Sequence, residues 1–131
     1  MDETIEQALA RDRVIDITTT GRKTGRPRRI EIWFHNLNGR LFITGLPGRR
    51  SWYANLLAHP EFTFHLKGSV QADLPARATP ITDAGQRREI LAGILQKLGR
   101  YNNLDAWVKG SPLVEVQVTP GRQSGVGPGV G

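Results

Sequence analysis

Hydrophobic and polar positions change period several times along the chain, and each change marks an element. In residues 4–11 (TIEQALAR), Ile5, Ala8 and Leu9 recur at helical spacing among polar neighbours, which predicts a short amphipathic helix. The β-branched run Val14–Thr20 (VIDITTT) predicts a strand, and Ile30–His35 (IEIWFH) a second one after the basic, glycine-punctuated stretch GRKTGRPR. Asn38-Gly39 is the pair favoured where two consecutive turn residues need positive φ, so the second strand and a third, Leu41–Thr44, should form a hairpin. Ser51 is placed to cap a short helix over Trp52–Ala58 (WYANLLA), which His59-Pro60 stops. Phe62, Phe64 and Leu66 alternate with polar residues as a half-buried strand does, and Val70–Ile81 predicts another, confined by Pro75 to an edge or a bulge.

Thr82 or Asp83 can cap a longer helix whose Ile90, Leu91, Ile94, Leu95 and Leu98 form one apolar stripe. Tyr101–Lys109 reads as a further helical turn or two, and Leu113–Val118 (LVEVQV) as a closing strand. This order predicts a mainly β fold, an antiparallel sheet curled into a small barrel with helices packed outside, and disfavours a doubly wound α/β sheet. The last eleven residues, GRQSGVGPGVG, contain five glycines and a proline. We therefore expect one folded domain over residues 1–119 and a disordered Gly-rich tail over 120–131.

Composition narrows the chemistry. The 131 residues are 38% apolar and 23% charged, enough for one domain with a core, and they include no cysteine. Disulfides, cysteine-ligated zinc, iron–sulfur clusters and cysteine nucleophiles are excluded, a cytoplasmic habitat is expected, and redox chemistry would need a bound cofactor. His35, His59 and His65 lack metal-ligand spacing, so no metal is expected. No apolar run approaches a membrane span, and the acidic start MDETIEQALARD lacks the features of a signal peptide.

Eighteen Lys and Arg against twelve Asp and Glu give a net charge of +6, which points to an anionic partner: nucleic acid, a membrane surface, or a phosphorylated or carboxylated small molecule. Five of the eighteen cations, Arg22, Lys23, Arg26, Arg28 and Arg29, fall between positions 22 and 29. Glycines let that backbone approach a ligand, and guanidinium groups donate in pairs to phosphate oxygens. The stretch matches neither the P-loop nor the dinucleotide-binding glycine pattern, and a solvated hairpin connection would use the same residues. Arg49 and Arg50 precede a helix N-terminus, a second place that favours an anion. Trp33, Phe34, Trp52, Tyr53, Tyr101 and Trp107 are candidates to flank a flat ring, although core packing would claim most of them.

Thr18-Thr19-Thr20-Gly21-Arg22-Lys23-Thr24-Gly25-Arg26-Pro27-Arg28, then Gly48, Trp52-Tyr53-Ala54-Asn55-Leu56 and His59-Pro60, together resemble the deazaflavin-dependent nitroreductase family of the flavin/deazaflavin oxidoreductases. The resemblance runs from about residue 13 to 118 and implies a split β-barrel, like that of FMN-binding proteins, that binds coenzyme F420, with FMN used by some relatives. It implies that Arg22, Lys23, Thr24 and Arg28 hold the cofactor's phosphate and acidic tail, and that Trp52, Tyr53 and Asn55 sit against it. Trp33 and Tyr101 would face the substrate. Where nitro-reducing relatives carry a Ser-Lys-Gly-Gly loop, this chain has Gly45-Leu46-Pro47-Gly48-Arg49-Arg50, with Arg49 or Arg50 in the lysine's place.

The expected function is therefore an F420-dependent oxidoreductase that transfers hydride from the reduced deazaflavin to an electron-poor acceptor, a quinone, enone or nitro compound. Alternatives left open are an FMN-dependent enzyme of the same fold, a non-catalytic cofactor- or lipid-binding barrel, and a basic nucleic-acid-binding barrel. The expected partner is a small-molecule acceptor and not nucleic acid, with the protein a monomer or homodimer and peripheral membrane contact left open.

Overall fold

Strand β1 (Val14–Thr20) turns back through residues 21–26 into β2 (Pro27–Trp33), and the two pair antiparallel over their whole length, from Val14 opposite Trp33 to Thr20 opposite Pro27. The computed structural model describes residues 3–99 and 103–119. The tail at 120–131 and the candidate Tyr101 lie outside them. Helix α1 (Glu3–Arg11) precedes β1, with Ile5, Ala8 and Leu9 buried as their spacing requires.

The second strand differs from expectation. It breaks at Phe34 into β2 and a separate short strand, β3 (His35–Leu37), and the Asn38-Gly39 hairpin joins β3 to β4 (Arg40–Thr44). Asn38 and Gly39 have φ of 54° and 91°, the paired positive values that this dipeptide favours. The break has a physical reason. Phe34 turns fully into the core, stacks edge-to-face on Phe64 with ring centroids 5.2 Å apart, and donates its backbone N–H to Arg13 O across 2.9 Å.

Helix α2 (Ser51–Ala58) follows, then β5 (Glu61–Leu66), β6 (Ala72–Pro80), helices α3 (Ala84–Leu98) and α4 (Leu104–Gly110), and β7 (Leu113–Val118). The seven strands form one sheet in the order β2-β1-β5-β6-β7-β4-β3, with every pairing antiparallel. Its two edge strands, β2 and β3, are consecutive in the chain, so the sheet curls upon itself into a half-barrel. Ile15, Ile17, Phe34, Phe64, Leu74 and Val114 fill the inside. A second cluster packs α3 and α4 on the outside, where Ile90, Leu91, Ile94, Leu95 and Trp107 meet Phe42 and Leu113. Each large side chain removed from water in these clusters contributes about 1.5–3 kcal/mol.

Two further expectations are corrected. Ser51 is the first residue of α2 rather than its cap; Arg50 holds the extended cap position and makes no capping hydrogen bond. Pro75 lies in an inner strand, β6, rather than at an edge. It is tolerated because β7 ends at Val118, opposite Ala76, so Pro75 faces Thr119 just past the strand and accepts its N–H across 2.8 Å.

Candidate functional site

The inner face of the β1–β2 pair opens at one end. Arg28, Ile30 and Ile32 stand opposite Thr19, Ile17 and Ile15, so all share the face that elsewhere lines the core. Yet Arg28 is exposed and Ile30 is 37% exposed, because no strand covers this edge. The result is a cavity of about 690 Å³ between the hairpin and the N-terminal turn of α2, within the size range of small-molecule sites.

The loop at its mouth is held in one shape by its own backbone. Gly21 N–H donates to Arg26 O, Gly25 N–H donates to Gly21 O, and Arg26 N–H donates to Thr24 Oγ1, across 2.8, 2.8 and 3.2 Å. A Cβ on Gly21 would stand 2.9 Å from Thr24 Oγ1 and 3.2 Å from Arg26 O, so a larger residue would force the Thr24 side chain and the loop backbone to shift. Gly25 takes φ +72°, where glycine is the unstrained choice. Asn55 ties this loop to α2. Its Oδ1 accepts from Arg22 N–H at 3.0 Å and its Nδ2 donates to Thr19 Oγ1 at 3.1 Å, so the buried amide satisfies both of its ends within the protein. Asn55 is thus a positioning residue for the loop.

Four cations, Arg22, Lys23, Arg28 and Arg29, line the cavity, together with Thr19, Gly21, Thr24, Pro27, Ile30, Ser51, Trp52 and Asn55; among the described residues no carboxylate does. The cations differ in availability. Arg29 Nε is held by Asp16 Oδ2 at 2.9 Å, and the same carboxylate binds Lys67 at 2.7 Å. Hydrogen bonds from Lys67 and then Arg29 hold the Asp16 carboxyl below its ordinary pKa. Arg22, Lys23 and Arg28 have no acidic partner among the described residues, so their charge is open to a ligand.

Of the other candidates, Trp52 lines this cavity and packs edge-to-face on Tyr53 at 5.9 Å, while Tyr53 itself packs against the core and is not part of the wall. Gly48, Arg49 and Arg50 also stand apart from it. Gly48 N–H donates to Gly110 O, and Arg50 folds back to donate to Arg49 O and Leu46 O, bracing the loop before α2.

Trp33 belongs to a second cavity of about 410 Å³ at the far end of β2, which Arg13, His35, Thr44, Gly45, Lys97, Leu98 and Trp107 also line. Its edge is built where β2 gives way to β3, with α3 and α4 forming the opposite wall. Burial, then the charges of Lys97 and Arg13, push the His35 pKa down to about 4, so its imidazole is neutral at pH 7. Sequence reasoning did not assemble Arg13, His35 and Lys97, because they converge from three elements with no shared spacing. On the outer sheet face, Thr18 Oγ1, His65 and Asp73 form a hydrogen-bonded chain with two 2.7 Å links. These mid-strand residues line neither cavity, and their neighbouring backbone groups are engaged in the strand ladders, leaving no oxyanion donors beside them.

Solved structures share this architecture at low identity. One called F420 reductase is 18% identical over 91% of this chain and 96% of its own, with a TM-score of 0.66. The heme storage protein HutZ from Vibrio cholerae is 15% identical over 89% of each chain, also at 0.66. A NimC/NimA family protein from Clostridium acetobutylicum is 11% identical over 88% of this chain and 82% of its own, at 0.63. The sheet is thus the split barrel of FMN-binding-like proteins, a fold whose members differ in ligand, so fold by itself chooses none. Sequence is more specific: residues 2–119 match the family described as F420H(2)-dependent quinone reductase, and the chain belongs to that family.

Proposed function

We propose that the protein is an oxidoreductase that binds F420 in the cavity beside residues 21–30 and reduces a quinone-like acceptor. The observation that carries this reading is the carboxylate-free cavity in which Arg22, Lys23 and Arg28 present unpaired charge beside Trp52. The donor set fits the group: a phosphate and an acidic tail call for several cations at a mouth open to solvent, and a flat ring calls for an aromatic wall. When bound, the reduced cofactor supplies a hydride. The chain's part is to hold and orient. Arg22, Lys23 and Arg28 bind the anionic groups, Thr24 and Asn55 keep the loop that carries them in shape, and Trp52 bounds the ring side.

Strand β2 links the two cavities, since Pro27–Ile30 line the first and Trp33 the second. Hydride passes only between atoms about 3–3.5 Å apart, so the ring would have to extend along β2 from Ile30 toward Trp33; with that placement we assign the acceptor to the second cavity, where Trp33, Leu98 and Trp107 make a mostly apolar wall suited to a planar quinone or enone. Family membership supports F420 over FMN. The test is anaerobic turnover: reduced F420 mixed with the protein and menadione should be reoxidised at a rate proportional to protein concentration. No reoxidation above the protein-free rate, or turnover with reduced FMN alone, would overturn the proposal.

A further inference from the structure

The second cavity combines an apolar wall with charge that the quinone reading does not use. Arg13 and Lys97 both line it, no acidic residue does, and neither cation has a carboxylate partner among the described residues. Lys97 Nζ makes one hydrogen bond, to Asn36 O at 2.8 Å, which leaves two of its protons free. Arg13 is anchored by its carbonyl, which accepts from Phe34 N–H, while its side chain stays exposed at the cavity. Asp12, next to Arg13 in sequence, lines with Arg13, His35 and Lys97 a small adjoining hollow of about 80 Å³, where Ser69 Oγ donates to its carboxylate across 3.1 Å and it forms no ion pair with either cation. Both cations share the cavity wall with His35, whose protonation burial and then their charges disfavour. Trp33 stands at the rim with 48% of its surface exposed, leaving apolar surface open to a ligand.

We infer that this cavity selects acceptors bearing an anionic substituent: the planar ring lies against Trp33 and Trp107, and a sulfonate, carboxylate or comparable anion is held between Arg13 and Lys97. This rests on the assignment of the second cavity to the acceptor and deepens it. The two cations bind charge and exchange neither proton nor electron. A neutral His35 in the same wall adds hydrogen-bonding capacity without adding a competing charge.

The experiment compares two acceptors, naphthoquinone sulfonate and uncharged menadione, with reduced F420 and the full chain. In the wild-type protein the sulfonate should show the lower KM, and added sodium chloride should raise its KM more steeply than that of menadione. In Arg13→Gln/Lys97→Gln, the ratio of the two KM values should move against the sulfonate by about tenfold, the size expected for losing two charged hydrogen bonds at a partly exposed site. Equal KM values in the wild type, or a ratio unmoved in a variant that keeps its melting temperature, would overturn the inference. Should the variant fail to fold, the salt dependence in the wild type decides alone. Binding of the sulfonate is also followed without cofactor, by quenching of tryptophan fluorescence. Salt-sensitive quenching with no turnover of either acceptor would refute the reductase reading and leave the anion site standing; turnover of both without a charge preference would do the reverse.

Discussion

Asn55 shows how one side chain can matter to a ligand without touching it. Its amide closes a buried hydrogen bond with Thr19 and a part-buried one with Arg22 N–H, so Asn55→Leu strands the buried Thr19 hydroxyl and frees Arg22 N–H to water. Leaving a buried group unsatisfied costs about 1–3 kcal/mol, and the variant should lose stability in that range on denaturant unfolding and bind F420 more weakly. Asn55→Asp keeps the acceptor for Arg22 N–H, and Thr19 can turn its hydroxyl to donate, so this change should be milder. His35 makes a second prediction with a definite sign. The folded protein protonates it only near pH 4, whereas an unfolded chain takes up the proton below about pH 6.5. The unfolded state therefore binds more protons between these values, and stability should fall as pH drops through this window, by up to about 3 kcal/mol. Replacing His35 with leucine should flatten that part of the stability curve; an unchanged slope would mean that another group causes it.

Among the elements, α4 depends most visibly on a single contact from elsewhere. Arg87 on α3 donates to the carbonyls of Ile81, Trp107, Val108 and Ser111, across 2.6 to 3.3 Å, and so holds the C-terminal end of α4 that places Trp107 in the second cavity. Lysine cannot reproduce this fork. Arg87→Lys should destabilise by about 2 kcal/mol and raise the KM for the acceptor more than that for F420. Asp83→Ala, which removes the cap bond to Gln86 N–H at the start of α3, should cost about 1 kcal/mol and leave both KM values in place. Elements with a clear period were legible in the sequence. β1, β7 and the Asp83 cap of α3 appear as expected, because alternation and capping are local signals. The break at Phe34 was not legible, since IEIWFH has the composition of one strand and only closure of the barrel turns Phe34 inward. Pro75 misled for a related reason: a proline reports a missing N–H, and the length of the neighbouring strand decides whether that matters.

At the scale of the whole molecule, six of the eighteen cations line two cavities toward the two ends of β2, and among the described residues no carboxylate lines either. The first was legible because its cations are contiguous in GRKTGRPRR; the second was not, since Arg13, His35 and Lys97 are joined only by the fold. The tie between Arg29 and Asp16 was equally hidden, and it removes one of the five clustered cations from those free to meet a ligand. In the proposed function, Arg22, Lys23 and Arg28 hold the anionic part of F420. Fluorescence titration of F420 against the wild-type protein and Lys23→Ala/Arg28→Ala tests it most directly. F420 should bind more tightly than FMN, and the variant should lose about tenfold or more in F420 affinity, as expected when charge-assisted hydrogen bonds worth about 1.5–3 kcal/mol each are removed. The melting temperature should hold, because neither side chain has an ion-pair partner among the described residues. Equal F420 affinity in the two proteins, or FMN binding tenfold more tightly than F420, would contradict it.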